Sequence, residues 1–142
     1  MKRLLLSETF GHLGCHAEGK TYVIPIAFLY HEGKIISYTK EGMKTEMMRK
    51  NPNVCLQVGE IRDAANWQSV IVWGKYRELS GAEADDATLL LQRRLHPFPQ
   101  SSTTPPQHGL DKNYAGVKPY TVMVAFTIEI AEMTGRFERD SA

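Results

Sequence analysis

Through most of the first eighty positions apolar and polar residues alternate over short runs separated by turn residues, the pattern of successive β-strands. Phe10 to Ala17 alternates loosely, with Phe10, Leu13 and Cys15 as its apolar members, and Glu18-Gly19-Lys20 makes a tight turn into Thr21–Tyr30. That second run, TYVIPIAFLY, is almost wholly β-branched, aromatic or aliphatic, as in a strand covered on both faces. Pro25 lacks the N–H that a ladder needs, which places it at an edge or a bulge. His31-Glu32-Gly33 predicts a hairpin turn, and Lys34–Lys40 returns as the third strand.

The period changes at Gly42–Asn51. Met43 and Met47 lie four apart, Glu46 and Lys50 form a favourable pair at the same spacing, and Pro52 stops the helix. Asn53–Gly59 and Trp67–Leu79 are further strands, the latter carrying Gly74 where a bend is easiest. Ser80-Gly81-Ala82-Glu83 reads as a capping box, with Asp85 and Asp86 in the first turn of the helix and Arg93 and Arg94 in its last, ending before Pro97. Residues 97–113, PFPQSSTTPPQHGLDKN, are a polar, proline-rich loop, and Tyr120–Ile130 alternates once more. Six strands and two main helices in one domain over residues 1–142 predict a mainly β fold, an antiparallel barrel with helices outside it.

Composition narrows the function. A formal net charge of +1 gives no long-range pull towards nucleic acid or an acidic membrane. Cys15 and Cys55 are too few for a disulfide framework and lack metal-ligand spacing, so two buried thiols in a reducing compartment are expected. Met1-Lys2-Arg3-Leu4-Leu5-Leu6-Ser7 begins like a signal peptide, but its apolar stretch is shorter than the ~7–15 residues of an h-region. With no run near the ~20 apolar residues of a membrane span, a cytoplasmic protein is expected. His12 and His16 sit four apart in a strand-like run, roughly 13 Å along the chain, too far for one metal ion. No metal site is expected.

Three segments carry candidate chemistry. In Tyr38-Thr39-Lys40-Glu41-Gly42-Met43-Lys44-Thr45 a strand gives way to a helix, whose first N–H groups lack internal partners and favour an anion. Thr39 or Thr45 offers a hydroxyl and Lys44 a full charge, the local chemistry of a phosphate cradle; an ordinary strand-to-helix turn with a solvated lysine is the alternative. Trp67-Gln68-Ser69 opens an apolar strand with polar groups suited to the edge of a planar heterocycle, or simply enters from a loop while the tryptophans fill the barrel. Val23-Ile24-Pro25-Ile26-Ala27 combines a proline with the small Ala27, room for a flat ring against the strand, or plain core.

In order, these segments resemble the pyridoxamine 5′-phosphate oxidase superfamily of FMN-binding split barrels, and most of all its short flavin-nucleotide-binding, nitroimidazole-reductase-like branch. The resembling pieces are GHLGCHAEGKTYVIPIAFLYHEGKIISYTKEGMKTEMMRKNPNVCLQV, then WQSVIVWGKYREL, then EIAEMTGR, within residues 10–79 and 118–136. The resemblance implies an FMN cofactor, a homodimer with the flavin at the subunit interface, and electron transfer from NAD(P)H to a small acceptor. It implies that the Ile24–Ala27 backbone, including Pro25 and Ile26, faces the isoalloxazine. Tyr38 and Thr39 match positions near the ring and phosphate, Lys44 (between Met43 and Thr45) the lysine of the phosphate turn, and Ser69, with Trp67 and Gln68 beside it, the flavin edge. Loop 97–113 would reach towards the partner's flavin. Val23 and Phe28 stand where the oxidase proper carries an arginine and a lysine, its C-terminal Trp/Arg signature has no counterpart, and Tyr38 replaces the usual histidine of the reductase branch. No catalytic acid or base is assigned. A non-catalytic flavin- or haem-binding module and a deazaflavin-dependent reductase are the alternatives on the same barrel.

Overall fold

A computed structural model describes residues 1–95 and 122–140. Loop 97–113, the start of the last predicted strand at Tyr120, and His96 and His108 lie outside them. The order is α1 (Lys2–Ser7), β1 (Phe10–Ala17), β2 (Lys20–Ala27), β3 (Leu29–His31), β4 (Lys34–Lys40), α2 (Met43–Lys50), β5 (Asn53–Asp63), β6 (Asn66–Glu78), α3 (Gly81–Leu95) and β7 (Met123–Glu138). All strand pairings are antiparallel, in the sheet order β2-β1-β5-β6-β7-β4-β3.

The two hairpins at the start share one turn chemistry. Glu18 and Gly19 have φ of 51° and 78°, and Glu32 and Gly33 have φ of 50° and 79°. Two successive left-handed residues match the twist of a two-residue hairpin, and glycine at the second position adopts that φ without a Cβ clash.

Where six strands were expected, the described residues form seven, because the run Thr21–Tyr30 divides at Phe28. β2 pairs with β1, from Phe10↔Ala27 to Ala17↔Lys20, while β3 pairs with β4, from Leu29↔Ile36 to His31↔Lys34. The two edge positions of the sheet are thus one continuous piece of chain, and Phe28, fully buried, is the hinge that brings the edges together into a barrel. Pro25 stands opposite His12 on β2, whose other side pairs with no described strand, the edge placement its missing N–H requires.

Alternate residues of the strands fill the barrel: Leu13 and Cys15 from β1, Leu56 and Val58 from β5, Val70 and Val72 from β6, Phe126 and Ile128 from β7. α1 and α2 add to this core, the first with Leu4 and Leu5, the second with Met47 and Met48. α1 was not expected; six residues are too few for helical periodicity to show. α3 lies outside, burying Ala87 and Leu91 against Ile36 of β4. Its predicted capping glutamate, Glu83, turns to Arg77 at 3.4 Å. Lys50 pairs with Glu18 at 3.0 Å rather than with Glu46. β7 runs through Glu132–Arg136, where an end was expected, because it serves β4 with its first half and β6 along nearly all of its length. No described helix is long and apolar enough to cross a membrane.

Candidate functional site

β4 pairs on one side with β7 over its whole length, from Lys34↔Glu129 to Lys40↔Met123. On its other side the pairing with β3 stops at Ile36. Beyond that point β4 faces the unpaired side of β2, and no ladder joins them. A side-chain bond spans the gap: the buried Ser37 hydroxyl donates to the Ala27 carbonyl at 2.7 Å. Past that bond no ladder joins the two strands, with Pro25, Ile26 and Ala27 on the β2 side and Tyr38, Thr39 and Lys40 on the β4 side of the split.

α2 begins directly after the β4 lip and packs against β1. Its start is tightly organised. The Gly42 N–H donates to Thr45 Oγ1 at 2.9 Å, and the Thr45 hydroxyl lies 2.8 Å from the Gly42 carbonyl and in close contact with Glu41 Oε2. Arg49 locks Glu41 from the next turn through two bonds of 2.6 and 2.8 Å and pairs with Glu78 of β6 at 2.5 Å. These bonds hold the Glu41 carboxyl well below the usual range, at about 2, with Arg49 the larger cause and Thr45 the second. Thr45 is fully buried and its one proton is taken, so it fixes the turn instead of offering a free donor. Met43 is exposed beside it.

Lys44 is half-buried, and burial lowers its pKa, with the neighbouring Lys40 charge lowering it further. The thiol of Cys15 on β1 lies within electrostatic reach. Among the described residues no carboxylate forms an ion pair with Lys44. A half-buried cation beside a second cation stabilises any anion brought to it. The Met43 and Lys44 backbone N–H groups, in the first turn of an eight-residue helix, point the same way.

The structure divides the predicted residues into two groups. Pro25, Ile26 and Ala27 lie on β2, Thr39 near the end of β4, and Met43, Lys44 and Thr45 in the first turn of α2, which follows β4 directly. Tyr38, next to Thr39, necessarily points to the other face, and packs against the cluster of α3 with Leu79 and Leu90. Trp67, Gln68 and Ser69 lie elsewhere, at the start of β6. The registers Gly14↔Cys55 and Cys55↔Trp73 set the Lys44 end of β1 level with Trp73, four residues or roughly 13 Å from Ser69 along the strand. Neither tryptophan fills the barrel; Trp73 is 38% exposed and Trp67 half-buried.

Sequence reasoning passed over three polar residues. Ser37 ties the split, Gln57 Nε2 donates to Ser69 Oγ at 2.9 Å, and Glu60 accepts from Gln68 Nε2 at 3.0 Å. Each is a polar residue inside an apolar strand, which was the available signal. The outer wall also carries a row that crosses four strands, Val23↔Gly14↔Cys55↔Trp73. Val23 is 65% exposed, and the Cys55 thiol lies so close over Gly14 that a Cβ there would sit 2.9 Å from sulfur. Two exposed apolar side chains thus border a shallow floor of small residues.

The sequence model of the pyridoxamine 5′-phosphate oxidase family matches residues 1–137. The chain belongs to this family. An uncharacterised protein of Rhizobium meliloti (strain 1021) is 28% identical over 137 residues, covering 87% of this chain and 81% of its own. Among solved structures, an FAD-binding protein of Mesorhizobium loti is 27% identical with a TM-score of 0.70, over 96% of this chain and 91% of that one. A 5-nitroimidazole antibiotic resistance protein of Bacteroides thetaiotaomicron, so described provisionally, superposes at TM-score 0.68 over 94% of this chain and 80% of its own, with 20% identity, a likeness of fold. The split β-barrel expected from the sequence is therefore the fold of this family member, with seven strands in place of six.

Proposed function

We propose that the protein binds FMN in the split between β2 and β4 and acts as a flavin-dependent oxidoreductase in the reducing cytoplasm. One observation carries this reading: Lys44, a half-buried cation with no acid partner among the described residues, stands at the mouth of a strand gap in a member of this family. Lys44 Nζ would donate to the phosphate, with the Met43 and Lys44 N–H groups behind it. The side of Pro25–Ala27 turned away from β1 would lie against one face of the ring, with Thr39 on the opposite lip. Bound there, a flavin supplies hydride acceptance and onward electron transfer, for which the protein provides position and electrostatics. NADH or NADPH is the donor and a small molecule the acceptor.

Ser69 and Gln57 face outward on the wall, away from Lys44 of the same chain. A second copy laid against the exposed row from Val23 to Trp73 brings its own Gln57–Ser69 pair towards the first copy's flavin. We therefore take the active form to be a homodimer. The family relative described as FAD-binding supports a flavin and leaves FMN and FAD to be separated by experiment.

The test is the visible spectrum of the purified protein and chromatography of the cofactor it releases, followed by stopped-flow reduction with NADH and NADPH. Yellow protein releasing FMN and reduced rapidly is the expected result. A haem Soret band, or protein that stays colourless with added flavin, overturns the reading.

A further inference from the structure

A second site lies away from the split, where α1 packs over the start of β6 and the end of β7. An open groove of ≈ 790 Å³ lies there, within the roughly 300–1,000 Å³ typical of small-molecule sites. Gly135 forms part of its floor: a Cβ at that position would come within 2.8 Å of the Met1 side chain, a flexible group that would have to swing aside. Lys2 and Arg3 line the groove from the helix side and Arg136 and Arg139 from β7. None of the four forms an ion pair with a carboxylate of the described residues, and no acid lines this groove. In a chain whose net charge is only +1, that is a marked local excess.

The groove is not simply cationic. Phe137 is 69% exposed within it, with the Arg139 guanidinium 5.4 Å from its ring centroid, and Gln68 adds an amide. An exposed ring beside guanidinium groups that form no ion pair with the described carboxylates offers a stacking surface and a phosphate clamp side by side. Glu60 and Glu138 line the adjoining cleft, so a continuous phosphate backbone running on from the groove would meet like charge. A free nucleotide fits where a nucleic acid strand does not.

We propose that this groove binds the adenosine-diphosphate moiety of a dinucleotide, the base against Phe137 and the diphosphate on Arg3 and Arg139 with Lys2 and Arg136 at the rim. The two dinucleotides that carry this moiety here are FAD and NAD(P)H. The site is distinct from the phosphate turn at Lys44, and its failure can be told apart from failure of the flavin reading.

The test is calorimetric titration of the full-length protein with ADP, adenosine and FMN, on wild type and on the double variant Arg3→Glu, Arg139→Glu. Both side chains are exposed, so the fold should tolerate the change; Phe137→Ser is a second, independent variant. ADP should bind at least about tenfold more tightly than adenosine, and the double variant should lose about tenfold to a hundredfold in ADP affinity. FMN affinity should change by much less than ADP affinity, since neither side chain belongs to the phosphate turn at Lys44 and exposed charges are screened. Displacement of ADP by NADPH from FMN-saturated protein assigns the site to the electron donor; displacement by FAD alone from flavin-free protein assigns it to the cofactor's adenylate half. No ADP binding up to about 1 mM, ADP affinity unchanged in the variants, competition between FMN and ADP, or displacement by neither dinucleotide would each overturn the proposal.

Discussion

The hydroxyl of Ser37 and the carbonyl of Ala27 meet at 2.7 Å at the point where β2 and β4 cease to be one wall and become two lips. Ser37→Ala removes the bond and leaves a carbonyl in a buried setting without its donor, at a cost of about 1–3 kcal/mol. Urea unfolding should show that loss, and the flavin affinity should fall with it because the lips are no longer held in register. Stability unchanged within about 0.5 kcal/mol would mean that the bond is not what sets the split.

Glu41 ties the start of α2 to Arg49, and through Arg49 to Glu78 on β6. Its carboxyl titrates lower folded, at about 2, than its ordinary value of 4.5. The stabilisation is therefore complete above pH 4.5 and disappears as pH falls towards 2. Thermal unfolding across that window should show a steeper acid loss in wild type than in Glu41→Gln, which cannot titrate there. Parallel curves for the two proteins would contradict the clamp.

Gly74 sits where the β6–β7 register slips between Trp73 and Gly74. A Cβ there would meet the Glu129 carbonyl oxygen at 2.2 Å, a backbone atom that cannot swing aside. Gly74→Ala should lose about 1–3 kcal/mol or more in denaturant unfolding as the two strands are forced apart. A neutral substitution would show that β7 is free to move at this point.

Lys44 is expected to lower the stability of the flavin-free protein. Burial and Lys40 depress its pKa, so the folded state holds its proton less tightly than the unfolded chain does. The penalty is fully present below the lowered value and fades as pH rises towards 10.5. Flavin-free Lys44→Met should therefore melt higher than wild type at neutral pH, with the difference shrinking in alkaline buffer. A variant that melts lower would reveal an unseen stabilising partner.

How much of this was legible beforehand follows from what each signal encodes. Alternation gave β1 and β4 to the residue, and the glycine hairpins at Gly19 and Gly33 followed from their turn residues. Alternation describes which face a residue takes and is silent on which strand lies beside it. So the run through Phe28 read as one strand although its halves pair with opposite edges of the sheet. The same limit separated the candidate residues: the strand-to-helix turn at Lys44 was visible as local chemistry, whereas the outward facing of Ser69 and the turning of Tyr38 towards α3 depend on long-range register. Thr45 looked like a donor because hydroxyls at helix starts are donors or caps alike; only packing shows that it caps. The basic groove draws Lys2 and Arg3 from one end of the sequence and Arg136 and Arg139 from the other, a convergence that no local window contains.

The central claim is that a flavin's phosphate is anchored at the split by Lys44, and a fluorescence titration of FMN into flavin-free wild type and Lys44→Ala tests it most directly. Loss of one charge-assisted bond predicts that the variant binds about tenfold to a hundredfold more weakly. Equal affinity in the two proteins would contradict the account.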